Sequence, residues 1–222
     1  MRNLATLTAI VALFTMAGVA QAGISGSKHD FGSLGWSQNQ ICLPCHTPHN
    51  AIVKDGNGVE VGGPLWNHTL STATYTLYLD ANGQGVTGQV DTNSKLCLSC
   101  HDGTVALDSF GGATGNTNIA GKANLGNDLS NDHPIGEAAI WPTPNPSYMV
   151  DPTLRANASG GAIMPLRALA DGRQTVGCTS CHEPHNRKST THMLWVNNGV
   201  AGTTVDGRAV SGSLLCLNCH KK

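Results

Sequence analysis

Charge is scarce in this 222-residue chain: Asp, Glu, Lys and Arg together make up 12% of it, about half of the ordinary quarter. Lys and Arg number 13 against 14 Asp and Glu, so there is no basic footprint and no nucleic-acid partner is expected. Aromatic residues are equally few, 5% of the chain with only three Phe, which excludes a core built on stacked rings. Beyond residue 22 no apolar run is long enough to span a bilayer. What is plentiful is Gly, at 27, with 10 Pro. Such a chain is loop-rich, and something besides its own side chains has to fill the interior.

The first 22 residues stand apart. Arg2 supplies a positive start, "LATLTAIVALFTMAGVA" is apolar, and "AQA" at Ala20 to Ala22 has the small-x-small form of a cleavage site. This reads as a secretory signal peptide, 1–22, with the mature chain at 23–222. An uncleaved anchor is the alternative reading. Removal of Arg2 leaves 12 basic against 14 acidic residues. About 200 residues remain, enough for one large or two small domains.

Eight cysteines in an exported chain would ordinarily imply four disulfides. Here every cysteine belongs to a C-x-x-C pair: Cys42/Cys45, Cys97/Cys100, Cys178/Cys181 and Cys216/Cys219. After each pair comes a histidine: His46, His101, His182 and His220. Four C-x-x-C-H sequences point to covalent attachment of four c-type haems. The chemistry explains the spacing. On one helical turn, residues three and four apart share a face, so two thiols can bond one edge of a porphyrin while the next imidazole reaches the iron. Zinc thiolate sites and exchange-active disulfides also use C-x-x-C, but neither explains a histidine at one fixed offset. Four haems would also supply the missing apolar interior, so the apoprotein is expected to be largely unfolded.

"CLPCHTPHN" from Cys42 and "CTSCHEPHN" from Cys178 agree at six of nine positions, and "LCLSCH" and "LCLNCH" close the two halves. We read an internal duplication, 23–110 and 128–222, with two haems in each part. The expected fold is a mostly irregular, loop-rich multihaem cytochrome c with short helices at the haem motifs, few short strands and a haem-filled core. "TATYTLYL" is a candidate strand with a hairpin turn near Asn82-Gly83. Leu96, Leu98, Leu215 and Leu217 are assigned to haem packing. "KDGNGVE" at Lys54 to Glu60 lacks the full spacing of a calcium loop and reads as a turn.

Six histidines remain for four distal iron positions: His29, His49, His68, His133, His185 and His192. His29 and His133 precede the first and third motifs and are expected to fold back onto those haems. His49 and His185 lie three residues after a proximal histidine, on another side of the turn, and are expected to serve a neighbouring haem. By that rule His185 serves the second haem, and His49, with no earlier haem in its own chain, serves the fourth haem of an adjacent subunit. His68 and His192 stand as alternatives, as do Met149, Met164 and Met193.

With "KHDF", "PLWNH", "CLSCHDGTVA", "DHPIG" and "CLNCHKK", these segments resemble the OmcE-type tetrahaem extracellular cytochromes over most of the mature chain. The resemblance implies a secreted electron carrier, not an enzyme, that polymerises head to tail into a conductive filament (a nanowire). An axial histidine would cross between subunits. The electron donor would lie in the periplasm or outer membrane, and the acceptor would be extracellular, such as a metal oxide. A monomeric periplasmic shuttle is the alternative, and a multihaem reductase a further one.

Overall fold

The structure is a computed structural model and describes residues 23–79, 85–142, 149, 164–196, 203–205, 208–210 and 213–220. Residues 1–22, read above as a signal peptide, the turn expected at Asn82-Gly83 and most of the proline-rich stretch Trp141 to Pro152 lie outside the described residues. Among the described residues no helix is long and apolar enough to cross a membrane.

Three α-helices are described: α1 (Thr92–His101) and α2 (Cys178–Cys181) each carry a cysteine pair, and α3 (Leu214–Leu217) carries Cys216, the first cysteine of the fourth pair. Only α1 exceeds one turn, and its start is set by Asp91. This N-cap carboxylate accepts hydrogen bonds from Asn93 N (3.1 Å), Ser94 N (3.0 Å) and the Ser94 hydroxyl, satisfying donors that the first turn leaves without a partner. Gly103, at φ 74°, turns the chain away just past the C-terminal end. The first cysteine pair sits on a turn rather than a helix, yet His46 N still donates to Cys42 O at 2.8 Å, closing the same i to i+4 ring.

Strands β1 (Tyr75–Leu79) and β2 (Gly85–Gly88) pair antiparallel. Tyr75 and Leu77, two apart and so on one face, pack with Val90, Leu98 and Leu129 into a cluster of buried apolar side chains. Leu98 was expected against a haem; it lies instead in this cluster, because the strand pair offers helix α1 an apolar face. Strands β3 (Ile140–Trp141), β4 (Arg167–Ala168) and β5 (Gln174–Thr175) form a small antiparallel sheet with β5 central. Strands β6 (Thr203–Val205) and β7 (Arg208–Val210) form a separate antiparallel pair.

Two short helices meet at their N-termini. Ser94 Oγ of α1 accepts from Cys178 N of α2 at 2.8 Å. The approach requires glycine before Cys178, since a Cβ on Gly177 would come within 2.1 Å of Asp91 Oδ2. Residues 54–60 make a tight turn in which Asp55 Oδ1 accepts from Asn57 N and Val59 N at 2.9 Å each, while Oδ2 pairs with Lys95 Nζ at 2.6 Å. The Lys95 ammonium, with these backbone donors, holds the Asp55 carboxyl below its usual range despite partial burial. A lysine thus fills the place that a cation would take in a calcium loop.

Candidate functional site

The turns at the cysteine pairs fix where each following histidine begins, and hydrogen bonding then fixes its ring. His46 Nδ1 lies 2.8 Å from Pro64 O, His101 Nδ1 2.8 Å from Ala123 O, and His182 Nδ1 2.9 Å from His192 O. A carbonyl only accepts, so each neutral ring must donate from Nδ1 and keep its Nε2 lone pair for a metal. This is the outer-shell arrangement of a ligating imidazole.

The frame around His46 is repeated around His182. Thr47 N donates to Leu65 O (2.9 Å) and Asn67 N to Cys45 O (3.0 Å); correspondingly, Glu183 N donates to Met193 O (2.6 Å) and Trp195 N to Cys181 O (3.0 Å). Leu65 and Met193 share the left-handed conformation, with φ 55° and 56°, as do Asn50 and Asn186, with φ 58° and 52°. Non-glycine residues adopt such angles at a cost. Finding them at matched positions ties the geometry to the duplicated motif.

The remaining histidines form pairs with these. His29 faces His101 with ring centres 6.1 Å apart, His185 faces His46 at 6.1 Å, and His133 faces His220 at 6.3 Å. Each pair joins one C-x-x-C-H histidine to one histidine outside those motifs. A metal–imidazole bond of about 2 Å on either side, plus about 1.1 Å from nitrogen to ring centre, separates trans ligands by about 6.2 Å. The interplanar angles of 52°, 17° and 70° are no obstacle, because each ring rotates freely about the metal–nitrogen axis.

This pairing corrects the expected one. His29 meets the second motif rather than the first, His133 the fourth rather than the third, and His185 the first rather than the second. The N-terminal segment is the cause: Asn186 Nδ2 donates to Gly23 O at 3.2 Å, and the Pro184 backbone hydrogen-bonds His29. The segment thereby lies against the third motif, and His29 is carried past its own motif to His101. Among the described residues, which include all ten histidines, His182 and His49 have no imidazole facing them. His49 is exposed.

His68 and His192 take other parts. His68 is buried, with Nδ1 2.8 Å from Thr69 O and Nε2 3.0 Å from Ala106 O and 3.5 Å from Cys100 Sγ; burial favours its neutral form, which donates to one of the two carbonyls. His192 is exposed and serves His182 through its carbonyl.

None of the eight cysteines is disulfide-bonded. Burial pushes the Cys45 thiol up to about 11, and those of Cys100 and Cys181 to about 12, away from the depressed values of exchange-active thiols. Cys97 and Cys178 hydrogen-bond one another, which raises the first and lowers the second. Sulfurs of consecutive motifs are therefore neighbours: Cys45 with Cys100, Cys97 with Cys178, and Cys181 with Cys216 and Cys219. Among the described residues no three His, Cys, Asp or Glu side chains converge on a metal-sized point. Tetrahedral zinc needs four such ligands, whereas a porphyrin supplies its own equatorial nitrogens and needs only the axial pair.

One residue that sequence reasoning passed over is Glu183. It is 1% exposed and follows His182 directly. Its Oε1 lies 3.2 Å from His185 Nδ1 and its Oε2 accepts from Arg187 N at 2.6 Å. Burial alone would raise this carboxyl, but hydrogen bonds from Arg187 and the His185 backbone hold it below its usual range. The signal was present in the one charged difference between "CHTPHN" and "CHEPHN". No family model matches the chain, and a search of curated proteins finds no match.

Proposed function

We propose that the chain is a secreted tetrahaem c-type cytochrome, with four covalently bound haem c groups, that carries electrons and polymerises into an extracellular filament. The observation that carries this reading is the set of three trans-spaced histidine pairs, each built from one C-x-x-C-H histidine and one other. When bound, haem iron supplies a one-electron centre whose potential its axial ligands tune. The chain's residues do the rest. The cysteine pairs would tether each group, His46, His101, His182 and His220 would each hold one iron, and His185, His29 and His133 would be the second ligands at the first, second and fourth sites. Adjacent sulfurs of successive motifs favour a path that runs through the sites in chain order.

Among the described residues the third site, at His182, has no imidazole facing it; of the two exposed histidines without a facing ring, His192 already meets His182 through its own carbonyl, which leaves His49. We assign His49 of one chain to the His182 site of the next, in place of the fourth-haem contact expected from sequence spacing. Such a contact is heterologous and extends into a filament unless it closes as a ring. Full ligation at four sites also leaves no displaceable position for reductase chemistry. Cryo-electron microscopy of the exported material tests the reading. Polymers in which His49 meets the next chain's His182 support it; discrete monomers with every iron ligated from within one chain contradict it.

A further inference from the structure

Five ligand-candidate imidazoles have a described hydrogen-bond partner at Nδ1, and four of these partners are backbone carbonyls: Pro64, Ala123, Pro134 and His192 for His46, His101, His133 and His182. His185 alone meets a side-chain carboxylate, Glu183 Oε1 at 3.2 Å. That carboxylate is 1% exposed and is surrounded by donors: His185 N at 3.2 Å, Arg187 N at 2.6 Å and Arg187 Nε at 3.3 Å. Every neighbour donates, so Glu183 acts as an acceptor throughout. At the duplicated position stands Thr47, whose hydroxyl donates to His49 O at 2.8 Å. The two halves therefore differ in charge at one point of an otherwise repeated frame.

We infer that Glu183 is a positioning residue for the site between His46 and His185, holding the His185 ring in place and making it an electron-rich axial ligand that lowers the reduction potential of that one iron. The inference rests on the proposed function. A carboxylate drawing on Nδ1–H gives the imidazole anionic character and raises its basicity, which favours the more positive, oxidised state of the metal it holds. A carbonyl partner does this only weakly. The consequence for an electron carrier is a built-in unevenness: the first site holds its electron less firmly than carbonyl partners alone would make it.

The experiment is a spectroelectrochemical titration of the haem-loaded chain as Glu183→Gln, with Glu183→Asp as the conservative control. The glutamine keeps one oxygen for Nδ1–H while removing charge and losing the acceptor for Arg187 N; retained bis-imidazole spectra report that the ring is still in place. The expected result is four bis-imidazole haems with the potential of one of four one-electron components raised by about 59 mV, a tenfold fall in its oxidised-to-reduced ratio at a fixed applied potential, and restoration by aspartate. An unmoved curve overturns the inference, as does an equal shift of all four components. Hyperfine-shifted NMR of the unaltered oxidised protein is the second measurement and requires no variant to fold: one axial imidazole should stand out by its imidazolate character, and a uniform set overturns the inference. Four porphyrins with unmoved potentials sink this inference alone, whereas absence of porphyrin removes the proposed function with it.

Discussion

An imidazole whose Nδ1 donates to a fixed carbonyl has only its Nε2 to offer, and His46, His101 and His182 are all held this way. His68 differs from them in being buried, with a backbone carbonyl beside each nitrogen. The two kinds of histidine should respond differently to removal. His185→Ala is expected to leave one iron with an open axial position, so that the reduced protein gains about one equivalent of carbon monoxide binding per chain. His68→Ala should leave the haem spectrum unchanged and instead lower stability by about 1–3 kcal/mol, since a buried carbonyl loses its partner. Difference spectra and denaturant unfolding separate the outcomes. The C-x-x-C-H histidines were marked out by their spacing, and in the structure His46, His101 and His220 each have a second histidine beside them. Which histidine faces which was not legible: the path of the segment from Gly23 to His29 depends on Asn186 and Pro184, contacts that no local spacing encodes.

Helix α1 holds the second motif through its N-cap, and the third motif is docked on that same cap. Asp91→Ala is expected to destabilise the protein by about 1–2 kcal/mol, the upper part of the usual range for a lost cap. Gly177→Ala forces a Cβ onto a buried carboxylate and should cost about 1–3 kcal/mol as an overpacking change. Denaturant midpoints measure both. The Asp55 tie between the 54–60 turn and α1 predicts a pH effect of definite sign. Its folded pKa is depressed, so its contribution is present above the unfolded value of about 3.9 and is lost as pH falls through the folded one. Asp55→Asn should flatten that acid limb of the stability profile. A strand in "TATYTLYL" was readable from alternation, and the structure places β1 there. The packing of Leu98 was not readable, since a leucine inside a C-x-x-C-H segment gives no sign of whether a porphyrin or a strand lies beside it.

At the scale of the whole molecule, the apolar cluster around Leu77 and Leu98 is small for a chain of 222 residues, and on the proposed function four macrocycles would supply further interior. Replacing the cysteines of all four pairs by alanine should therefore abolish cooperative thermal unfolding, as circular dichroism would record. Assembly is a separate matter that turns on one exposed side chain. His49→Ala should leave three fully ligated irons per chain, open the fourth at His182 to carbon monoxide and prevent long polymers, visible together in spectra and negative-stain images. The sequence pointed to His49 as a histidine without a home, but its partner site could be chosen only once His133 was seen to face His220. All of this depends on thioether-linked porphyrin at the four cysteine pairs. Denaturing mass analysis of the exported protein tests that most directly: the account predicts the chain from about residue 23 plus four haem groups, and a mass equal to the bare polypeptide would contradict it.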